Sequence, residues 1–170
     1  MHKINRFSIY FALLAGLFLN ITVTNHLRIF GMKPDMLLLT VAFFGLFFGK
    51  GTGLESGLAG GFLKDIFTLD AFGINTFALG ATGLLAGILS AKFFKEFKAT
   101  QILLVLFLSF FSMVLHFIAL PLFSRIPNLG LAKYMATLAV PASVYNALIS
   151  IPLYAAFANI YHLKEDDDLL

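Results

Sequence analysis

The fold of this chain is decided by the stretch MLLLTVAFFGLFFGKGTGLESGLAGGFLKDIFTL, which covers residues 36–69. It contains two apolar runs, Met36–Gly49 and Gly51–Leu69, with a single lysine between them. Apolar runs of this length without a polar linker are typical of helices that cross a lipid bilayer. A helix from Pro34 to Gly49 reaches only about 24 Å. We therefore expect it to be shielded by neighbouring helices, to thin the membrane or to stand close to the membrane normal.

The rest of the chain has the same apolar character. Of its 170 residues, 59% are hydrophobic and 12% are charged, and the mean hydropathy is +0.91. A soluble core cannot bury so much apolar surface in so short a chain, whereas six membrane helices of about 20 residues use most of it. We predict one all-α polytopic membrane domain, with spans over about residues 7–24, 35–49, 51–69, 72–91, 102–123 and 136–161.

Composition and motifs exclude most soluble functions and disfavour enzymatic chemistry. The chain has no cysteine, so disulfides, thiolate metal sites and cysteine nucleophiles are excluded. Its lysines and arginines are scattered between apolar runs, so nucleic acid is not an expected partner. Ser56 falls in the inner half of the membrane and His116 in the outer half, so they should not form a nucleophile–base pair. We predict no catalytic residue, no metal and no cofactor.

Positive charges give a predicted orientation. The first apolar run follows Lys3 and Arg6, as in a signal peptide, but no small-residue cleavage site follows and the chain stays hydrophobic. We expect an uncleaved first span. Seven lysines and arginines fall on the side of the first residues, including the cluster Lys92, Lys95 and Lys98, against five on the other side. The bias predicts a plasma-membrane protein with both termini in the cytoplasm.

Small residues recur at four-residue spacing in three predicted helices. In lipid, helices associate largely by close backbone approach, which small residues permit. The three ladders are Ser8, Ala12, Gly16, Asn20 and Thr24 in the first helix; Gly49, Gly53, Gly57 and Gly61 in the third; and Gly83, Gly87 and Ala91 in the fourth. We expect most of these residues to pack helices inside the bundle. The first ladder is the one that we expect to face a helix of another protein.

Polar residues from six predicted helices fall at one depth, in the outer half of the membrane. This outer polar layer consists of Asn20, Asp35, Asp65, Asn75, His116 and Asn146. Its members are expected to cap helix starts and bond to one another, to line an outward-facing pocket for a small molecule or part of a lipid, or to meet a segment of another protein. Matched depth also predicts a pair between Asp65 and His116. Lys64 is expected to reach the outer interface and keep its charge hydrated.

Four pieces of sequence carry a family resemblance. They are Pro34-Asp35-Met36-Leu37-Leu38-Leu39, then Gly61-Phe62-Leu63-Lys64-Asp65, then Phe72-Gly73-Ile74-Asn75-Thr76-Phe77, and finally Pro141-Ala142-Ser143-Val144-Tyr145-Asn146-Ala147-Leu148. In this order and spacing they resemble the rod shape-determining protein MreD family over nearly the whole chain. The resemblance implies a non-enzymatic component of the bacterial cell-elongation machinery. It also implies six helices in a fold like that of the vitamin-binding S components of ECF transporters.

The same resemblance implies a set of partners. Members of the family bind the single-span protein MreC. They work beside the actin-like MreB and beside RodA with its penicillin-binding transpeptidase, in lateral peptidoglycan synthesis. On this basis the ladders and the outer polar layer are candidates for holding MreC and shaping the bundle, while catalysis belongs to the partners.

A second hypothesis keeps the fold and changes the function. The chain would be the substrate-capturing S component of a vitamin transporter, with the outer polar layer as its pocket. The absence of tryptophan and the scarcity of polar groups disfavour a tight site for a hydrophilic ligand. Neighbouring genes for an ATPase and a transport coupling subunit would favour this hypothesis over the MreD one.

Overall fold

The computed structural model describes residues 5–22, 33–68, 72–92, 97–123, 130–161 and 163, and within them every regular element is a helix. The elements are α1 (Arg6–Thr22), α2 (Met36–Phe48), α3 (Lys50–Phe67), α4 (Ile74–Ser90), α5 (Lys98–Phe123), α6 (Leu131–Tyr134), a π-helical turn (Met135–Ala139) and α7 (Val140–Ile160). The all-α prediction is confirmed for these residues. Lys3, Thr24 and Lys95 lie outside the described part, as do Arg28, Arg125 and Lys164, which belong to the positive charges counted for the orientation.

Two helical segments are long and apolar enough to cross a membrane. They are Lys98–Ala119 and Ala132–Ile160. Three shorter apolar helices are Arg6–Thr22, Met36–Phe48 and Ile74–Ser90. The structure therefore agrees with a helical membrane protein, and the crossing of a membrane by all six segments stays a prediction.

The short helix α2 is the centre of the bundle. All of its 13 residues except Phe47 are buried, and it contacts α1, α3, α4, α5 and α7. Phe43 packs against Tyr154 and Phe157 of α7, with ring centroids 5.3 Å and 4.9 Å away. Because other helices surround it, α2 does not need the length of a lipid-facing span, which is the shielding that its short sequence suggested.

Glycines bring α3 and α4 into backbone contact. A Cβ built on Gly57 would lie 2.8 Å from the Cα of Gly80, and one built on Gly61 would lie 2.7 Å from the carbonyl carbon of Asn75. Such distances leave no room for a side chain, so the glycines set the separation of the two helices. At the other end of α4, Gly87 packs in the same way against the Gly49–Lys50 backbone.

The described part of the small-residue ladder of α1, Ser8 to Asn20, also packs within the bundle, which corrects the expectation that it faces another protein. Ala12 and Gly16 are buried, and a Cβ on Gly16 would lie 2.9 Å from the Oγ1 of Thr40 in α2. The Ser8 hydroxyl donates to the Tyr161 hydroxyl at 3.1 Å. Spacing identifies a face that admits close contact, but it does not identify the helix that fills it. The opposite face of α1 exposes Phe7, Phe11, Leu14, Phe18 and Ile21.

A polar contact joins α1 to α3 at the end of the bundle where both helices begin. The Tyr10 hydroxyl donates to the Glu55 carboxylate at 2.8 Å, and the Arg6 guanidinium lies 3.9 Å from the same oxygen. Glu55 thus has partners on the neighbouring helix, on the side of α3 away from the glycine contact with α4.

The last helical segment begins with an irregular turn. Met135–Ala139 is π-helical and leads directly into α7. Pro141 lies in the first turn of α7, which is where a helix tolerates proline best. Proline has no N–H to donate to the carbonyl of Thr137, and its ring needs space beside that carbonyl. A wider π-helical turn before Pro141 provides that space. The segment from Tyr134 to Val140 is therefore helical and leads into α7 without a break.

Candidate functional site: a polar cavity at one end of the bundle

A cavity of about 550 Å³ lies where the ends of α1 and α3 meet the starts of α2 and α4. It is lined by Leu17, Asn20 and Ile21; Lys33, Pro34, Asp35 and Leu38; Lys64, Phe67 and Thr68; Asn75, Ala78 and Leu79; Ser109, Ser112, Met113 and His116; and Tyr134, Leu138, Ala142 and Asn146. Five of the six residues of the outer polar layer line this cavity. The sixth, Asp65, lies behind Asn75 and binds it.

Asp35 is the centre of the hydrogen bonds around the cavity. It caps α2, because its Oδ1 accepts from the backbone N–H of Leu38 at 3.0 Å. The same oxygen accepts from the Asn20 side chain at 3.4 Å. The other carboxylate oxygen pairs with the Lys64 ammonium at 2.5 Å. One carboxylate therefore connects the end of α1, the start of α2 and the end of α3.

Asn146 extends this network to α5 and α7. Its side-chain oxygen accepts from the backbone N–H of Asp35 at 2.9 Å, and its amide nitrogen donates to the Ser109 hydroxyl at 2.6 Å. Asn146 and Ser109 are buried. A buried amide that uses both its donor and its acceptor holds its neighbours in one arrangement, because any shift leaves a polar group unpaired.

Asp65 holds the start of α4. One oxygen accepts from the backbone N–H and the side chain of Asn75, at 3.0 and 2.9 Å. The other accepts from the backbone N–H groups of Gly73 and Thr76 and from the Thr76 hydroxyl. These backbone N–H groups belong to the start of α4, where they have no partner within the helix. Gly73, just before α4, adopts a left-handed conformation with φ of +100°, which glycine reaches without strain. The predicted pair with His116 is wrong, since Asp65 instead binds the chain that follows it.

The position of Lys64 differs from its expected place at the outer interface. Its side chain is only 21% exposed and is held by Asp35. The helix end turns it inward, so the ion pair forms part of the cavity wall. Lys33 is exposed at the same cavity. Apart from His116, the ionisable side chains of lysine and aspartate that line the cavity are two positive ones, Lys33 and Lys64, and one negative one, Asp35.

Sequence reasoning missed several polar residues of the cavity. Ser109 and Ser112 lie on α5 at helical spacing from His116, and this pattern marks one polar face of an otherwise apolar helix. Tyr134 precedes the π-helical turn, and its hydroxyl lies 3.5 Å from the carbonyl oxygen of Met113. The serine spacing was a readable signal, whereas nothing local in the sequence brings Tyr134 to α5.

The polar side chains around the cavity bind one another and hold the helices together. The Ser56 hydroxyl donates to the Gly53 carbonyl oxygen of its own helix at 3.1 Å, and it lies two turns before the cavity residue Lys64. His116 lines the cavity itself. Ser56 and His116 are therefore at different levels of the bundle, as predicted, and do not form a nucleophile–base pair. Among the residues that the structure describes, no cluster of three His, Asp or Glu side chains is placed to hold a metal ion.

Comparisons with known proteins identify the family. A search of curated proteins and a search of solved structures returned no match, so the likeness to S components stays a prediction, and the transporter hypothesis gains no support. The family model for the rod shape-determining protein MreD matches residues 1–164. Because this match covers nearly the whole chain, the predicted resemblance is confirmed, and the protein belongs to the rod shape-determining protein MreD family.

Proposed function

We propose that this protein is a multi-pass scaffold of the plasma membrane that supports rod-shape determination by holding other proteins of the cell-elongation machinery. The observation that carries the proposal is the family match over residues 1–164. The hydrogen bonds around the cavity add support, because they hold several helices in one arrangement. A bundle held in this way offers partner proteins a fixed surface. In this role the protein performs no reaction of its own and supports lateral peptidoglycan synthesis through its partners.

The surface of the bundle supports placement in lipid. Large apolar side chains are exposed on its outer helices, among them Phe62 of α3, Phe77 of α4, Leu103 of α5 and Leu148 of α7. A soluble monomer rarely exposes so many of them, whereas lipid covers them at no cost. We propose that all six helical segments cross the membrane with both termini in the cytoplasm. The polar cavity then lies in the outer half of the membrane.

The partner that we propose for direct binding is an MreC-like single-span protein, and we assign its contact to α1. Within the described residues, α1 packs along α2 and α3 and reaches the end of α7 through the bond between Ser8 and Tyr161, so it stands at the edge of the bundle. Its outer face carries Phe7, Phe11 and Phe18, which are 75%, 66% and 65% exposed. A partner helix on this face buries aromatic surface, which contributes strongly to association. RodA with its transpeptidase, and MreB indirectly, are the further partners of the proposed scaffold.

Co-purification from membranes tests this function. The chain and a tagged MreC are produced together, and the amount of chain retained with MreC is measured. We expect retention by the unchanged chain and a several-fold loss for Phe11→Ala with Phe18→Ala. The matched control is Leu103→Ala with Phe107→Ala, which removes comparably exposed side chains from α5.

The outcomes separate the function from the surface. If the unchanged chain does not bind MreC, and does not restore rod shape to cells that lack their own copy, the scaffold proposal is wrong. If the unchanged chain binds and both double variants bind equally well, the contact lies on another face and only the assignment to α1 fails.

A further inference from the structure

The cavity has the size and composition of a binding site. Its volume of about 550 Å³ falls in the usual range of ligand pockets, roughly 300–1,000 Å³. Leu17, Phe67, Leu79 and Leu138 contribute apolar wall, while the polar side chains come from several helices. Such pockets typically combine mostly apolar walls with a few converging polar groups.

One buried polar group in the cavity remains available to a ligand. Ser112 is 6% exposed and lines the cavity. Unlike Ser109, which accepts from Asn146, its hydroxyl makes no hydrogen bond to another residue that the structure describes. No fully shielded side-chain oxygen or nitrogen in the described part of the chain lacks a hydrogen-bond partner, so the Ser112 hydroxyl is open to the cavity that it lines. Ser112 is therefore placed to bind an oxygen atom of a molecule in the cavity.

The charges of the cavity favour an anion. Lys64 uses one of its three donors on Asp35. Lys33 forms no ion pair within the described part of the chain and is exposed at the cavity. Among the side chains that line the cavity, two ammonium groups outnumber one carboxylate. The carboxylate of Asp65 lies behind this wall and accepts five hydrogen bonds from the start of α4. Ammonium groups bind phosphate oxygens through strong charge-assisted hydrogen bonds.

We propose that this cavity binds one anionic amphiphile, with its phosphate group between Lys33, Lys64 and Ser112 and its hydrocarbon part along the apolar wall. A ligand must use both the polar and the apolar lining of the cavity. A small polar anion makes no use of Phe67 and Leu138, and a purely apolar molecule leaves Ser112 and Lys33 unused. The inference concerns a lipid site of this chain and does not depend on binding of MreC.

Native mass spectrometry of the full chain tests the proposal. The chain is released from nanodiscs of phosphatidylcholine that contain a minor share of phosphatidylglycerol, and the retained lipids are counted. We expect one phosphatidylglycerol per chain, retained in preference to phosphatidylcholine. Lys33→Gln removes one charge-assisted contact and should lower this retention about tenfold. Lys133→Gln, a change at an exposed lysine outside the cavity lining, should leave retention unchanged.

A second variant and a second probe complete the test. Ser112→Phe fills the cavity and should abolish lipid retention. If Ser112→Phe lowers the yield of folded protein, Lys33→Gln still decides the test, because Lys33 is exposed and its substitution leaves the core intact. Inorganic phosphate alone should leave the melting temperature unchanged, whereas phosphatidylglycerol should raise it. Equal retention of both lipids, an equal loss in Lys33→Gln and Lys133→Gln, or equal stabilisation by free phosphate would overturn the proposal.

Discussion

Gly53 of α3 and Gly83 of α4 lie in direct backbone contact. A Cβ on Gly83 would lie 2.7 Å from the carbonyl carbon of Gly53, and a Cβ on Gly53 would lie 2.8 Å from the Cα of Gly45 in α2. Three helices thus meet at one point where only hydrogen atoms fit. At the opposite end of the same helix pair, Gly61 packs against the backbone of Asn75 and Thr76, and Asp65 binds Gly73, Asn75 and Thr76.

Substitution of Gly53 should destabilise the bundle. Gly53→Ala forces the backbones of α3 and α4 apart, because the atoms around the new methyl group belong to main chain that cannot move aside. We expect a loss of about 1–3 kcal/mol in the free energy of unfolding, measured by circular dichroism during thermal unfolding in detergent. Gly51→Ala is the control on the same helix, because a Cβ there meets nothing within 4 Å. Equal melting temperatures for the two variants would contradict the close contact.

The ion pair of Asp35 and Lys64 should show energetic coupling. Lys64→Gln leaves a partly buried carboxylate without its counter-ion, and Asp35→Asn leaves the ammonium without its own. The double variant should therefore be more stable than the sum of the two single losses predicts, by about 1 kcal/mol or more. A double-mutant cycle of unfolding free energies measures this. Additive losses would mean that the pair contributes nothing, and Lys50→Gln, at an exposed lysine, controls for loss of charge alone.

The stability of the protein should depend on how many acceptor oxygens residue 65 provides. Asp65→Ala removes all five hydrogen bonds to the start of α4, and we expect a loss of about 2 kcal/mol or more. Asp65→Asn keeps one acceptor oxygen and should lose less. Thermal unfolding of both variants under the same detergent conditions gives the comparison. The assignment of Asp65 to the start of α4 fails if Asn is as destabilising as Ala.

Loss of Asn146 should destabilise the protein more than loss of a polar side chain that bonds only within its own helix. Asn146→Ala leaves the Asp35 N–H and the Ser109 hydroxyl without their partner, and we expect a loss of about 2 kcal/mol in the free energy of unfolding. Ser150→Ala is the matched control on α7, because the Ser150 hydroxyl donates only to Ala147 of the same helix. Similar melting temperatures for the two variants would show that the network across helices adds no stability.

The depth of the polar residues could be predicted, but their partners could not. Asn20, Asp35 and Asn146 come from helices far apart in sequence, and counting residues along each helix was enough to place them at one level. A pair depends in addition on the rotation of each helix about its axis. Because of helix rotation and the local path of the chain, Asp65 binds Asn75 and Thr76 instead of His116. For the same reason Lys64 binds Asp35 and does not extend to the outer interface.

The sequence by itself determined that the chain is helical, that α2 is short, that Pro141 lies in the first turn of α7 and that the chain resembles the MreD family, because apolar run length, proline chemistry and motif order are local properties. Only the tertiary structure decided that the ladder of α1 packs against α2, that glycines join α3 to α4, and that the polar residues enclose a cavity. Those outcomes depend on which helix faces are brought together. Spacing along one helix cannot specify that, since the same face fits any neighbour of matching shape.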